Sequence, residues 1–231
     1  VDGSVRELPV QAAISSMPLR DLIRALDPPA PDDVRAAAER LAYRDFLTVA
    51  LVVESADAFT DQWIYIHEPS VRVGRIQNFR NWSPAMVPDP GVSVLGLEYF
   101  CFEGDTMWTS TDEELIELAA RELETIGLAR REQVREGKVV RMAKAYPVYD
   151  HSYRDAVDII RRWLMANVGN LWSAGRNAMH QYNNQDHSMA AALLAAANLT
   201  GRDDRDPWSI NHAGEFSPRL TPQPLTPEAV R

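Results

Sequence analysis

The chain has 231 residues, 45% of them hydrophobic, which is enough for one large or two small packed domains and too apolar for global disorder. A formal net charge of −9 with no Lys/Arg-rich run excludes a nucleic-acid role resting on diffuse positive charge. The single cysteine, Cys101, excludes an intrachain disulfide and fits a reducing, cytoplasmic setting, and no apolar run approaches the roughly 18 residues of a membrane-spanning helix, so a soluble chain is expected.

The opening Val1-Asp2-Gly3, in place of Met, runs almost at once into a strand over Leu8–Ser16, as if the chain were cut from something longer. Pro18 is placed to open a helix over Leu19–Leu26, which Pro28, Pro29 and Pro31 break; Asp32 or Asp33 then starts a second helix carrying Val34, Ala37, Ala38 and Leu41 inward. Phe46–Val53, nearly all apolar and rich in β-branched residues, predicts a strand covered on both faces. Gln62–His67 and Val71–Phe79 predict two more strands, turning at Glu68-Pro69-Ser70, with Arg75 and Gln77 on one face. Val92–Phe102 follows, its pattern setting Glu98 among aromatics.

Thr111 and Glu114 form a capping box for a helix that Gly127 ends. Lys138–Lys144 then reads as a strand, Tyr146–Asp150 as a loop, and Ser152–Met165 as an amphipathic helix with Ala156, Ile159, Ile160 and Trp163 inward. A strand over Asn170–Ala174 leads through a polar connector to a helix from about Asp186 to Leu199, with Met189, Ala190, Leu193, Leu194 and Ala197 at helical spacing. From Arg202 the chain is charged, then proline-rich and aperiodic, which predicts a mobile tail over Arg202–Arg231.

The connector, Gly175 to Met189, carries the most chemistry. A strand ending in glycine lets backbone approach a bound group, and the helix start beyond it offers unpaired N–H groups and partial positive charge, which suits an anionic or electron-rich ligand. The same residues also allow a plain cap by Asn184 or Asp186, with Arg176 paired to a carboxylate. Arg75, Arg80 and Arg176 are candidates for holding phosphate or carboxylate groups, and Tyr146 and Tyr182 for stacking and hydroxyl donation. His180 and His187 stand seven apart with no accompanying Cys or carboxylate pattern, so no metal site is expected. Ser188, His187 and Asp186 are sequence neighbours and cannot converge as a triad. There is no G-x-G-x-x-G, P-loop, G-x-S-x-G or H-E-x-x-H.

Ile14-Ser15-Ser16-Met17-Pro18, the run Arg75 to Trp82, Glu98-Tyr99, Ala145 to Val148 and the segment Gly175 to Met189 together resemble FAD-dependent oxidoreductases of the amine oxidase and protoporphyrinogen oxidase type, a superfamily that includes UDP-galactopyranose mutase. The resemblance spans roughly Leu8 to Thr200. It implies an α/β fold: an α+β substrate domain, antiparallel sheet with packed helices, plus a terminal strand and helix returning to a Rossmann-type FAD domain absent from this chain. The implied boundaries are 1–18 for the end of an FAD-domain segment, 19–168 for the substrate domain and 169–201 for the returning strand and helix.

By the same resemblance, Gly175, Arg176, Gln185, Asp186, His187 and Ser188 contact FAD at the flavin edge, and Arg75, Tyr146 and Tyr182 border the substrate; no catalytic residue is assigned. Asn81 and Asn183-Asn184-Gln185 differ from the mutases, and the ending is closer to bacterial proteins described as FAD-dependent oxidoreductases. The expected function is therefore the C-terminal portion of such an oxidoreductase acting on a small molecule, with FAD held weakly or not at all without the N-terminal FAD domain. The alternatives are a mutase-like isomerase acting on a nucleotide sugar and a non-catalytic binding or assembly module.

Overall fold

A computed structural model describes residues 7–211. In chain order its elements are β1 (Ala13–Ser15), α1 (Leu19–Ala25), α2 (Asp32–Glu39), β2 (Tyr43–Val53), β3 (Trp63–Tyr65), β4 (Arg75–Asn78), the single turn α3 (Phe79–Trp82), β5 (Ser93–Cys101), α4 (Thr106–Thr109), α5 (Asp112–Thr125), β6 (Val134–Pro147), α6 (Tyr153–Asn167), β7 (Leu171–Ser173) and α7 (Gln185–Leu199). They fall into two compact units, one of residues 42–148 and one of residues 7–41 with 149–211. The resemblance groups α1, α2 and α6 with the sheet, whereas the compact units group them with the terminal segments.

The unit of residues 42–148 is an antiparallel five-stranded sheet in the order β3-β4-β5-β2-β6. Alternation along β2 sends Leu47, Val49, Leu51 and Val53 to an inner face, where Leu95, Leu97 and Tyr99 of β5 join them against Leu115, Ala119 and Leu123 of α5. The opposite side of β2 is only half-buried from Phe46 to Val52, so this strand is not covered equally on both faces as its composition suggests. The Thr111–Glu114 capping box opens α5 as expected. Arg141 of β6 locks the α4–α5 corner, donating to the Trp108 carbonyl at 3.1 Å, the Ser110 carbonyl at 2.6 Å and the Asp112 carboxylate at 2.5 Å.

Pairing of β2 with β6 breaks between Arg44 and Phe46, where Phe46 faces Met142 but Arg44 faces Tyr146. Buried Asp45 holds this bulge: it accepts the backbone N–H groups of Lys144, at 2.7 Å, and of Glu103, while Lys144 sits at φ 55°. Tyr146 and Pro147, expected in a loop, are thus the last residues of β6.

In the other unit α1, α2 and α6 pack around Leu19, Ile23, Val34, Ala38 and Ile160. The inward positions of α6 are Ala156, Ile160 and Leu164; Ile159 and Trp163 are only half-buried. β1 and β7 form a parallel pair, Ala13 opposite Leu171 and Ser15 opposite Ser173, much shorter than the strand expected over Leu8–Ser16. α7 buries His187, Ala191, Leu194 and Ala195, while Met189 and Leu193 of its apolar pattern face outward, 60% and 72% exposed. Within the stretch read as a tail, residues 202–211 are built into this unit: Trp208 is buried and Asp206 pairs with Arg161 of α6. Residues 212–231 lie outside the described part.

Candidate functional site

On the outer face of the sheet, register brings together residues that the sequence scatters. Arg75 of β4 stands opposite Glu98 of β5, Gln77 opposite Gly96, and Glu98 in turn opposite Thr48 of β2. Glu98 is 1% exposed; one carboxylate oxygen accepts from Arg75 Nε and the other from Gln77 Nε2. The Arg75 guanidinium lies 4.9 Å from the Trp63 ring and 5.9 Å from that of Tyr65. Burial works against its charge, but the Glu98 hydrogen bond and field outweigh this and hold the Arg75 pKa above its ordinary value.

Beside this polar cluster Phe46, Phe100 and Tyr146 form a triangle of rings with centroids 5.5, 5.8 and 5.9 Å apart. Phe79 closes the other side by lying over Gly96, where a Cβ would come within 2.8 Å of its ring. The face therefore has a floor of small residues, a neutralised ion pair and aromatic walls. Beneath the sheet a second buried carboxylate, Glu122, accepts from the Arg72 and Val73 N–H groups at 2.7 and 3.1 Å and from the Tyr99 hydroxyl at 3.0 Å. Sequence reasoning missed Glu122, though its helical spacing from Leu115 and Ala119 on the inner face of α5 was a signal.

In the terminal unit, the connector after β7 is tightly organised. Gly175 takes φ 101°, which favours glycine, and among the described residues no atom beyond its chain neighbours lies within 4 Å of where its Cβ would stand. Arg176 turns back, giving its Nε to the Asn183 carbonyl at 2.8 Å, with its guanidinium 5.7 Å from the Tyr182 ring. Tyr182 is pinned in turn, its N–H donated at 2.7 Å to the Tyr149 hydroxyl and its ring edge-on to that of Tyr149 at 4.9 Å. Tyr149 itself stacks on Tyr153 at 4.2 Å, a clamp that no local sequence pattern announced.

Asn184 caps α7, and His187 completes a reciprocal box by accepting the Asn184 N–H on Nδ1 at 3.2 Å. The His187 proton therefore sits on Nε2, a buried donor with no hydrogen-bond partner among the described residues. Gln185 and Asp186 are exposed at the helix start, and Ser188 continues the helix by donating its N–H to the Asn184 carbonyl at 2.9 Å. The structure thus gathers Arg176, Tyr182, Asp186 and His187 around one connector and, separately, Arg75 and Tyr146 on one sheet face. Among the described residues no group of three or more His, Cys, Asp or Glu side chains is placed to hold a metal ion, and no helix is long and apolar enough to cross a membrane.

No family model matches the chain, and no curated protein matches it. Solved structures do. A reduced UDP-galactopyranose mutase matches 86% of this chain and 42% of its own at a TM-score of 0.73 and 22% identity. A putative protoporphyrinogen oxidase from Exiguobacterium sp. 255-15 matches 73% of this chain and 38% of its own at 0.57 and 16%. A protein from Pyrococcus furiosus matches 88% and 44% at 0.52 and 10%. At these identities the likeness establishes the fold alone, a mixed α/β architecture built on an antiparallel five-stranded sheet with a small parallel pair. The chain spans about two fifths of the length of the solved structures it matches.

Proposed function

We propose that the chain is the C-terminal portion of a cytoplasmic FAD-dependent oxidoreductase of the amine oxidase and protoporphyrinogen oxidase type, supplying its substrate pocket and its flavin-edge segment. The observation that carries this reading is the β1–β7 pair. Two parallel strands of three residues each cannot sustain themselves, because parallel strands are stable only inside larger sheets covered on both faces. Next to them α7 turns Met189 and Leu193 outward. Both features fit strands and a helix completed by an N-terminal FAD domain, of the kind that the partial match to longer flavin enzymes leaves room for.

The connector residues suit that cofactor. Gly175 leaves open space for close approach, the start of α7 offers N–H groups at Gln185 and Asp186, and the buried His187 Nε2 is a donor in need of an acceptor. When bound, FAD supplies hydride acceptance from the substrate. The protein's own part is to hold the ring edge with the α7 N-terminus, whose dipole stabilises negative charge there, and to fix Arg176 and Ser188 beside it. Arg75, Tyr146 and Tyr182 border the substrate in this reading. Spectroscopy of the purified 231-residue chain, with and without added FAD, tests the split: it should hold flavin weakly or not at all, and stoichiometric, tightly held flavin overturns it.

A second reading, a flavin-dependent isomerase of nucleotide sugars, draws on the 0.73 TM-score to UDP-galactopyranose mutase. Titration of the full-length protein with UDP-sugars separates the two. Tight binding that depends on Arg75 and Tyr146 supports only the isomerase.

A further inference from the structure

We propose that Glu98 sets the charge preference of the outer sheet face, which takes an uncharged ligand with a flat apolar surface and turns away diphosphates. The inference rests on the reading of that face as the substrate pocket and deepens it by naming the substrate class.

Arg75 is the cation at the centre of this face, and its charge is already matched. Glu98 stands directly opposite it in the ladder, is 1% exposed, and spends one oxygen on Arg75 Nε and the other on Gln77. The rings of Trp63 and Tyr65 cover the guanidinium, whose side chain is 16% exposed. An incoming diphosphate would have to displace a fixed carboxylate or sit beside it, and like charges at such separations repel strongly where water is scarce. The Nε donor on one edge of the guanidinium is thus taken from within, and the buried carboxylate beside it already balances the charge a phosphate would seek.

Among the described residues the other cations of this face stand away from Arg75, Arg44 over the Phe100 ring and Lys138 opposite Ala50 at its margins. Lys138 lies on β6, three strand spacings or about 14 Å from β4. Arg44 lies four residues along β2 from Thr48, the partner of Glu98, or about 13 Å away, with its guanidinium 5.6 Å from the Phe100 ring and 5.4 Å from that of Phe102. What the face does offer is the Phe46–Phe100–Tyr146 triangle on one side of Glu98 and the Phe79 ring, lying over Gly96, on the other. Such a surface gains from flat apolar contact.

The test is calorimetric titration of the 231-residue chain and its variants with inorganic pyrophosphate and with UDP. The unsubstituted chain should show no binding of either that depends on Arg75. Glu98→Gln, whose amide oxygen can still accept from Arg75 while its NH2 group meets Gln77 only if the Gln77 amide turns to accept, removes the charge and should bind pyrophosphate at least roughly tenfold more tightly, and the double variant with Arg75→Met should lose that gain. A folded Glu98→Gln chain with unchanged pyrophosphate affinity overturns the proposal, as does Arg75-dependent binding by the unsubstituted chain. If Glu98→Gln shows no cooperative unfolding transition, the assigned Arg75 Nε–H resonance of the unsubstituted chain decides: it stays unmoved on adding pyrophosphate if Glu98 holds the site, and shifts saturably if it does not. None of these readouts involves flavin, so they stand or fall apart from the FAD-binding test.

Discussion

The Tyr99 hydroxyl of β5 donates to the Glu122 carboxylate of α5 across 3.0 Å in the core of the sheet unit, and the same carboxylate takes the N–H groups of Arg72 and Val73. One buried charge therefore joins the central strand, the covering helix and the segment entering β4. Tyr99→Phe removes a hydrogen bond to a charged acceptor and should cost about 1.5–3 kcal/mol. Glu122→Ala strands two backbone donors and the hydroxyl together and should cost more. Urea unfolding followed by circular dichroism checks both, and equal midpoints for Tyr99→Phe and the unsubstituted chain would contradict the ranking.

The same pair gives the fold an alkaline limit. Burial, then the Glu122 charge, keeps Tyr99 protonated well above the ordinary tyrosine value of 10, and burial also raises Tyr149. Unfolded tyrosines ionise near 10, so above that pH the unfolded chain holds fewer protons than the native one. Stability is accordingly unaffected by these groups below about pH 10 and falls as pH rises beyond it toward the native values. Melting temperatures measured from about pH 9 to about pH 11 should decline, and more shallowly for Tyr99→Phe.

Gly96→Ala places a methyl group where the Phe79 ring already sits, 2.8 Å away. Either Phe79 swings off the outer face or the sheet shifts, at a cost of about 1–3 kcal/mol. Phe79→Ala in the same chain should recover part of that loss. A double-mutant cycle showing simple additivity would place the strain elsewhere.

Neighbouring leucines of α7 should behave oppositely. Leu194 is 9% exposed and its change to alanine should cost about 2–4 kcal/mol, whereas Leu193, 72% exposed, should tolerate alanine within about 0.5 kcal/mol. On the proposed reading, an FAD domain in the full-length protein would cover Leu193. Leu193→Glu should then leave the melting temperature of the 231-residue chain unchanged while lowering flavin content in the longer one.

Local signals carried much of the fold. The Thr111–Glu114 box, the start of α1 after Pro18 and a strand over Phe46–Val53 are written in neighbouring residues, and the structure has all three, although β2 buries one face more than the other. Long-range partners were not legible. The strand pattern from Val71 fails until Arg75 because the Arg72 and Val73 N–H groups go to Glu122, 50 and 49 residues away, instead of to a ladder. β6 runs from Val134, well before the stretch expected at Lys138, because it is an edge strand whose charged Arg135, Glu136 and Lys138 mask its period. Helix α7 is apolar on all sides, so its spacing could not say that Ala191 and Ala195 face inward while Met189 and Leu193 do not. At the candidate site the residue types in the connector were visible, but the occupation of Arg75 by Glu98 needed the register of β4 on β5.

The bulge held by Asp45 has an arithmetic of its own. Between the pairs Phe46–Met142 and Arg44–Tyr146, β2 advances two residues and β6 four, so the surplus is two, an even number. Evenness preserves the side of the sheet, and Tyr146 emerges beside Phe46 and Phe100. A loss of one residue among 143–145 would flip that parity and carry the tyrosine ring to the opposite side while leaving composition almost untouched. Length variation at this corner is therefore tolerable in steps of two and ruinous in steps of one.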